Sequence, residues 1–486
     1  MSLKKIFLNG MLWSFIQQFS NQLITFAIQL VLVRFISPTD FGLIGMLAVF
    51  IGIATALIDG GLTSSLIRNN QVDDSDYSTI FYYNVFFSVI IYFIFFNLSP
   101  YIGKFYNQQA LEKIAKVYGL TFIFSSIGTV HNIILFKKME FKKQAIITLP
   151  PMILGGVLGI VLAIKNYGVW SIVYSMLASS LLTSFSLWTF SNWKPSLIFD
   201  IEKFKLHFHY GYKMSISSAL DNLFTNIYPI LIGRLYNPAA VGYYTRANSL
   251  MMLPVGNFSI ILNRVVFPLF SKVQDDVFAL QKIFKKIMQI FFYVLAPTTA
   301  LMILLSKEIV LVLFTDKWLQ IIPIFRILCF VGLLYPLHLY NLMILQVKGK
   351  SNLFLKLELI KKVIIIISLF ISVKFGFVGI LIGSVIASII TLPINTYYAG
   401  ELINYKMFQQ LKDLFSIFVL TIIMSVIIFF FKELISEYSS IIKILFCSIL
   451  AALLYISISI VFKIQSAIEI LLIIKKFLTS NKKEVL

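Results

Sequence analysis

The sequence has few charged residues. Only 13% of its 486 residues are Asp, Glu, Lys or Arg, whereas 59% are hydrophobic and 47 are phenylalanine. A soluble domain is usually about 25% charged and about 45–50% apolar. This composition excludes an ordinary soluble protein. Apolar runs of about 18 or more residues recur along the whole chain, as they do in proteins that span a membrane with helices.

The motifs of several enzyme classes are also missing. The chain contains no P-loop for ATP, no glycine-rich dinucleotide motif and no pair of zinc ligands. Its two cysteines, Cys329 and Cys447, lie within apolar runs and indicate neither a disulfide framework nor a metal site. We therefore expect no cofactor and no metal ion. Because no small-residue cleavage site follows the first apolar run, we expect the first helix to be retained.

Acidic residues are scarce relative to basic ones. There are 21 Asp and Glu against 41 Lys and Arg, which gives a formal net charge of +20. The lysines cluster between the apolar runs, so positive-inside topology and anionic lipid headgroups explain them better than nucleic acid does. A cytoplasmic N-terminus places 28 of the 41 basic residues inside. We therefore predict that both termini are cytoplasmic and that the basic, amphipathic tail 464–486 lies on the inner surface.

Hydropathy predicts an all-α polytopic membrane protein with about fourteen transmembrane helices. The segment 306–318 is too short to span a membrane, and it predicts a re-entrant or extracytoplasmic turn. The predicted spans are 11–36, 41–66, 79–99, 115–136, 146–164, 169–190, 212–236, 243–268, 287–305, 320–346, 357–374, 377–399, 411–431 and 440–462.

A stretch at the end of the first span recurs 200 residues later. LVRFISPTDFG occupies 32–42, and LIGRLYNPAAVG occupies 231–242. Six spans separate the copies, and an even number returns the chain to the same side, so we predict parallel repeats. The matched residues are Arg34, Pro38 and Gly42 with Arg234, Pro238 and Gly242. The predicted domains are a six-helix lobe at 1–200, a second at 201–400, two additional helices at 401–463 and the tail at 464–486.

The first and seventh spans are too polar to face lipid on every side. Gln18 and Asn21 fall on one stripe of the first span, while Asp221, Asn222 and Asn226 enrich the seventh. Spacings of three, four and seven residues place side chains on one helix face. Because both copies carry polar residues, we favour a polar cavity. The alternative is ordinary hydrogen bonding between helices.

Charges within apolar spans are candidates for function, because insertion of a charge costs at least about 2.5–3.5 kcal/mol. Asp59 and Asp221 are candidates for ion coupling, and Arg264, with Asn257 nearby, is the deepest arginine. Each has an alternative. Asp59 precedes two glycines and would cap a helix end, whereas Arg34 and Arg234 would anchor at lipid headgroups.

Two further features have plainer interpretations. His338 is interpreted as an ordinary interior histidine rather than a proton carrier, and the acids in VDDSD at 72–76 as a solvated loop.

Several motifs together resemble a known family. They are LVRFISPTDFGLIGMLAVFIGIATALIDGGLTSSLI, NIILFKKMEFKK, YGVWSIV, VGYYTRANSLMMLPVGNFSIILNRVVFPLFSKVQDD and LFTDKWLQIIPIFRIL. The chain resembles bacterial polysaccharide flippases of the multidrug/oligosaccharidyl-lipid/polysaccharide exporter superfamily, within the branch that exports colanic and teichuronic acids. The matches cover residues 9–360, and 242–276 is the most specific part.

The resemblance implies two parallel six-helix bundles around a V-shaped central cavity that opens alternately to each side. It also implies a flippase, not an enzyme, that moves undecaprenyl-diphosphate-linked oligosaccharide to the outer leaflet of the bacterial cytoplasmic membrane. The partners would be that glycan, membrane lipids and polysaccharide polymerase or assembly proteins, with no nucleic acid. Arginine is suited to bidentate phosphate contact. The motif residues carried over as candidates are Arg34, Asp59, Arg234, Tyr244, Arg246, Asn248 and Arg264.

Four alternatives to this function stay open. Two of them are transporters of the same superfamily, namely a lipid II flippase and a cation-coupled drug exporter. A drug exporter would favour acidic residues, and the candidate cavity carries more arginines than acids. The other two are not transporters, and they are a membrane-embedded glycan-assembly enzyme and a scaffold of a glycan-assembly complex.

Overall fold

The computed structural model describes residues 3–69, 71–470 and 472, with side chains from residue 13 onward except those of residues 261 and 263. Every regular element among these residues is helical, as the sequence predicts. The helices are α1 (Leu3–Phe35), α2 (Pro38–Asp59), α3 (Leu62–Arg68), α4 (Asp74–Tyr106), α5 (Ala110–Tyr118), α6 (Leu120–Lys137), α7 (Phe141–Ile164), α8 (Val169–Phe190), α9 (Ile201–Thr225), α10 (Ile227–Leu235), α11 (Pro238–Ile261), α12 (Phe267–Lys272), α13 (Val277–Leu304), α14 (Ser306–Leu313), α15 (Ile321–Val347), α16 (Ser351–Ser372), α17 (Gly376–Leu402), α18 (Met407–Leu434) and α19 (Ser440–Val461).

The protein is a multi-pass membrane protein. Within the described part of the chain, twelve segments are long and apolar enough to cross a membrane. One of them, Ser351–Leu402, contains both α16 and α17, joined by a single 3-10 turn. The polar helix α9 is not among the twelve. Each predicted span lies in one helix or in consecutive helices, and the total of fourteen spans stays a prediction.

The chain separates into two compact units, Met1–Gly242 and Tyr243–Leu486. Helices α9 and α10 therefore pack with the first unit. The predicted domain boundaries at residues 200, 400 and 463 stay predictions. Residues 465–470 are helical, and the predicted amphipathic tail beyond them, apart from residue 472, lies outside the described residues.

In the first unit, short side chains allow the helices to pack closely. The Ser88 hydroxyl on α4 lies 2.9 Å from that of Ser126 on α6. The segment that leads into α9 is held on α4 in the same way, because the backbone N–H of Asp200 donates to the Thr79 hydroxyl at 3.0 Å. Residues 191–200 connect α8 to α9, and α9 begins eleven residues before the predicted span at 212.

In the second unit, aromatic and amide side chains join the core helices. The rings of Phe284 on α13 and Tyr340 on α15 lie 4.2 Å apart, centre to centre. The fully buried amides of Asn341 and Gln410 donate to each other at 3.1 and 3.0 Å, which joins α15 to α18. The Tyr293 hydroxyl donates to Ser459 at 2.8 Å, so α19 also packs on α13.

Candidate functional site

The two copies of the repeated motif begin helices in the same way. The Ser37 hydroxyl accepts a hydrogen bond from the backbone N–H of Asp40 at 3.2 Å, and Pro38 occupies the first position of α2. The Asn237 side-chain oxygen accepts one from the N–H of Ala240 at 2.9 Å. Serine and asparagine are both preferred helix N-caps, and proline suits the first helical turn. The sequence repeat is therefore also a structural repeat.

The two repeat corners contact each other through their glycines. A Cβ added to Gly42 would overlap the carbonyl oxygen of Pro238, and one added to Gly242 would overlap the carbonyl oxygen of Pro38. The contact is reciprocal, so α2 and α11 begin side by side, as parallel repeats require. Only glycine permits backbones to approach this closely.

The repeated arginines lie just before these corners, and both are exposed. Arg234 donates from Nη1 to the backbone oxygen of Phe105 at 2.7 Å. Its guanidinium carbon also lies 5.5 Å from the centre of the Phe105 ring. An arginine over an aromatic ring is favoured by the ring's negative face. The structure therefore places Arg234 against the C-terminal end of α4, whereas Arg34 is on α1.

The polar residues of α9 divide between packing and exposure. The side-chain NH₂ groups of Asn222 and Asn226 donate to backbone oxygens one turn earlier, each at 2.9 Å. Asn222 also lies against Gly52 of α2, and Ser215 donates to the Ala56 oxygen at 2.8 Å. Asp221 is exposed. Packing between helices therefore accounts for part of this stripe.

The first-span candidates belong to a different packing arrangement. Gln18 and Asn21 are half-buried on α1. That helix packs on α7 through Ile28, whose side chain fills the space above Gly156. Because α9 packs on α2 and α1 packs on α7, the two predicted polar stripes have different neighbours within the first unit.

Asp59 lies where the second predicted span breaks. It is the last residue of α2, and Gly60 and Gly61 follow with φ of 55° and 69°. The Thr63 hydroxyl donates to the Asp59 carboxylate across this break. Gly61 in turn packs on the backbone of Gly211 in α9, which leaves no space for a side chain. This geometry fits the helix-end alternative, and a role in ion coupling stays a hypothesis.

The remaining candidates lie on α11 and the segment that follows it. Tyr244 is buried, and Arg246 and Asn248 are half-buried. The Asn257 amide donates to the Leu253 oxygen at 2.9 Å. Arg264 is exposed and lies in a five-residue π-helical turn, Leu262–Val266, which interrupts the helix. Single π-helical turns occur frequently at functional sites.

A buried polar cluster was missed by the sequence analysis. His207 Nε2 lies 3.0 Å from Asp76 Oδ1, and His207 Nδ1 lies 2.7 Å from the Ser65 hydroxyl. The exposed fractions of Asp76 and His207 are 4% and 1%. The solvated-loop interpretation of VDDSD is therefore wrong for Asp76. Acids at positions 73 and 76, directly before an apolar run, have the spacing of a capping box, and this signal was available in the sequence.

The cluster has the atoms of a Ser–His–Asp triad, but it joins helices. The Ser65 side chain is buried, so its hydroxyl cannot receive a substrate. Ser65 lies on α3, Asp76 on α4 and His207 on α9, and the hydrogen bonds hold these three helices together. At the edge of the cluster, the Lys203 ammonium lies 2.6 Å from the Asp73 carboxylate. This hydrogen bond lowers the pKa of Asp73 and raises the pKa of Lys203.

The second unit contains an ion pair that the sequence analysis also missed. The segment predicted as a turn at 306–318 contains the short helix α14. Its Glu308 lies 3.0 Å from Lys432 of α18, with side chains 6% and 17% exposed. Lys432 also donates to the Leu304 oxygen at 2.9 Å. Burial removes the water that hydrates a charge, and a partner of opposite charge offsets that cost.

His338 is buried within the second unit. The two ring nitrogens of His338 lie 3.0 Å from the Ser388 hydroxyl and 3.0 Å from the Asn395 amide. The interpretation as an interior histidine with its hydrogen bonds made is therefore confirmed. In the part of the chain that the structure describes, no group of three His, Cys, Asp or Glu side chains is placed to hold a metal ion.

Comparison with solved structures relates the fold to transporters. A lipid II flippase MurJ in an inward closed conformation superposes with a TM-score of 0.76 at 16% identity. The match covers 93% of this chain and 98% of that one. A MATE-family multidrug transporter in an inward-facing conformation superposes with a TM-score of 0.61 at 18% identity. That match covers 78% of this chain and 94% of the transporter.

Sequence comparison agrees with this likeness. The lipopolysaccharide biosynthesis protein WzxC of Escherichia coli K12 is 25% identical over 82% of this chain and 81% of its own. The teichuronic acid biosynthesis protein TuaB of Bacillus subtilis 168 is 24% identical over 77% of this chain and 78% of its own. A lipid II flippase MurJ family model matches residues 212–450. The model of the polysaccharide biosynthesis protein family matches residues 31–323, more than half of the chain. The chain therefore belongs to the polysaccharide biosynthesis protein family.

Proposed function

We propose that this protein is a flippase for undecaprenyl-diphosphate-linked oligosaccharide repeat units. It would move them from the inner to the outer leaflet of the bacterial cytoplasmic membrane for surface polysaccharide biosynthesis. One observation carries the proposal. A member of the polysaccharide biosynthesis protein family has a fold that matches 98% of a lipid II flippase. The family supports a role in glycan assembly, and the fold supports movement of a lipid-linked precursor.

Alternating access is the mechanism that we propose for this movement. Transporters of the same fold have been captured in an inward-facing conformation and in an outward-facing conformation, with TM-scores of 0.61 and 0.50. The helix breaks at Asn226 and at Gly60–Gly61, and the π-helical turn at Leu262–Val266, interrupt helices at polar residues. Irregular backbone of this kind is tolerated at membrane depth only within protein or along a polar cavity.

The chemistry of the substrate suits the candidate residues. A diphosphate is doubly charged, and arginine offers planar, bidentate donors that match it. We propose that guanidinium groups bind the diphosphate, and Arg264 in the π-helical turn is the strongest candidate. The arginines concerned are Arg34, Arg234, Arg246 and Arg264. Amides of Gln18, Asn21, Asn222, Asn226, Asn248 and Asn257, with the Tyr244 hydroxyl, would serve the glycan hydroxyls. Asp59 and Asp221 would couple transport to an ion.

The orientation and the partners belong to the same proposal. We propose that both termini lie in the cytoplasm, because that arrangement places 28 of the 41 basic residues inside. A polysaccharide polymerase that consumes the translocated repeat units would act on the outer face.

A gene deletion tests the proposed function. Cells that lack the protein should lose one surface polysaccharide and accumulate its lipid-linked repeat unit inside. Wild-type protein should restore the polymer, and Arg264→Ala should restore less than one tenth while reaching the same level in the membrane. Normal polysaccharide in the deletion strain would refute the proposal, provided that no second flippase gene is present.

A lipid II flippase is the second candidate, favoured by the MurJ family model over residues 212–450. Depletion of the resident lipid II flippase distinguishes the two. Growth rescued by this protein would favour lipid II, whereas failed rescue together with lost surface polysaccharide would favour the oligosaccharide.

A further inference from the structure

The first unit contains an apolar groove along one face of α4. Its volume is about 560 Å³. The walls come from α2 between Val49 and Leu57, from α4 between Ile91 and Phe105, and from Leu223 and Ile230 beyond them. Every lining side chain is apolar or aromatic, and Tyr101 carries the single hydroxyl. The groove is not suited to the oligosaccharide, because a single hydroxyl cannot satisfy the many hydroxyls of a glycan.

The groove is long enough to cross one leaflet of the membrane. Its α4 residues repeat at intervals of three and four from residue 91 to residue 105, which is one helix face. At 1.5 Å per residue this face is about 21 Å long. One leaflet of hydrocarbon is about 15 Å thick. Ile94 and Leu98 are about half exposed in the structure, at 49% and 48%, so a chain can reach them from the membrane.

Two cations lie at one end of the groove, each over an aromatic ring of its wall. The Arg234 guanidinium carbon is 5.5 Å from the centre of the Phe105 ring. The Lys104 ammonium is 5.8 Å from the centre of the Tyr101 ring. The Phe105 carbonyl takes only one of the five guanidinium N–H donors of Arg234. The lining residues include no acid that would neutralise these charges. This end is therefore suited to a phosphate.

We infer that the groove binds a polyprenyl phosphate lipid, with its phosphate at Arg234 and Lys104 and its chain along α4. The inference rests on the proposed function and deepens it. The groove follows a single helix face and holds one chain; a polyprenyl phosphate has one chain, whereas a glycerophospholipid has two. In the proposed orientation α4 ends at the outer face. The site therefore holds the carrier lipid in the outer leaflet, after translocation.

Photocrosslinking tests this site without measuring transport. The purified full-length protein in nanodiscs is irradiated with a polyprenyl phosphate that carries a photoreactive group in its chain. We expect labelled peptides from residues 91–105 of α4. Labelling of the Arg234→Ala/Lys104→Ala variant should be at least five-fold weaker than that of the wild-type protein. The Arg234→Lys variant should retain most of the labelling. Lys116→Ala is the matched control, because Lys116 lies over Phe96, which does not line the groove.

Two further arms identify the ligand. A Leu98→Trp variant, which fills the groove, should abolish labelling of α4 while the protein elutes normally in gel filtration. Excess undecaprenyl phosphate should compete with the probe at least ten-fold better than phosphatidylglycerol.

Three results would overturn the inference. They are equal competition by the two lipids, labelling outside α2, α4, α9 and α10, and undiminished labelling of the double variant. Export of polysaccharide by the same cells distinguishes failure of this inference from failure of the proposed function. Wild-type protein that exports normally without labelling at α4 refutes only the inference.

Discussion

His207 Nε2 lies 3.0 Å from Asp76 Oδ1, and this buried contact joins α9 to the start of α4 across 131 residues of sequence. The Ser65 hydroxyl completes the cluster at His207 Nδ1. The hydrogen bonds of this cluster therefore fix the position of the polar helix α9 within the first unit.

Removing His207 should destabilise the protein. His207→Ala leaves the Asp76 carboxylate and the Ser65 hydroxyl buried without this partner, and an unsatisfied buried group costs about 1–3 kcal/mol. We expect a clearly lower unfolding temperature in detergent. His209→Ala is the matched control, because His209 is exposed and its ring lies 6.2 Å from that of Tyr212 on the same helix, centre to centre. Equal unfolding temperatures for the two variants would show that the cluster contributes nothing.

The repeat corners should tolerate no side chain. Gly42→Ala and Gly242→Ala should each reduce the yield of folded protein severely, because the added methyl group overlaps a proline carbonyl oxygen. Gly256→Ala should be neutral or slightly stabilising, since nothing lies within 4 Å of its added Cβ and alanine is favoured in helices. Fluorescence-detected gel filtration of the three variants measures this difference. Monodisperse Gly42→Ala protein at wild-type yield would contradict the close contact.

The buried pair of Glu308 and Lys432 should behave as a coupled unit. Lys432→Met alone leaves Glu308 charged and buried, which is expected to cost about 3–5 kcal/mol. The double variant Glu308→Gln/Lys432→Met should recover at least half of that loss. A more exposed pair, Glu112 and Lys116 with side chains 39% and 29% exposed, supplies the control, and Lys116→Met should cost at most about 0.5 kcal/mol. Additive losses in the Glu308 and Lys432 variants would argue against coupling.

The contact between Asp73 and Lys203 should contribute to stability only at intermediate pH. The pKa of Asp73 is lowered in the folded protein, so its contribution is present above the unfolded pKa of about 3.9 and is lost as the pH falls through the folded value. The pKa of Lys203 is raised, so its contribution is present below about 10.4 and is lost as the pH rises through the folded value.

Asp73→Asn should therefore lower the unfolding temperature at pH 7, and this difference should become smaller as the pH falls below about 3.9. Because the Asp73 side chain is 65% exposed, 0.5 M salt should reduce the effect at pH 7. An unfolding temperature difference that grows toward pH 3 would have the wrong sign.

The sequence predicts the helical fold well because membrane helices leave a strong local signal. All predicted spans coincide with helices, and the offset between Gly42 and Gly242 correctly indicated a structural repeat. The buried pairs were missed for a physical reason. His207 and Asp76 are distant in sequence, and each looks like a solvated residue beside lysines and acids. Only tertiary packing removes them from water.

The candidate site was predicted less completely. The sequence indicated a polar stripe in α9, but it could not distinguish Asn222, which packs on Gly52, from Asp221, which is exposed. These two residues are adjacent, and a helix turns by about 100° between neighbours. The side of α9 that faces another helix is set by its contact with Gly52, which lies 170 residues before Asn222 in the sequence.

Translocation in purified vesicles is the most direct test of whether the protein moves lipid-linked oligosaccharide across the membrane. Proteoliposomes that contain the protein and a lipid-linked oligosaccharide are exposed to a glycosidase that cannot cross the membrane. We expect inner-leaflet glycan to become accessible in the presence of wild-type protein, and several-fold more slowly with Arg264→Ala. Glycan that stays protected in wild-type vesicles to the same extent as in protein-free vesicles, with or without an imposed ion gradient, would contradict this expectation.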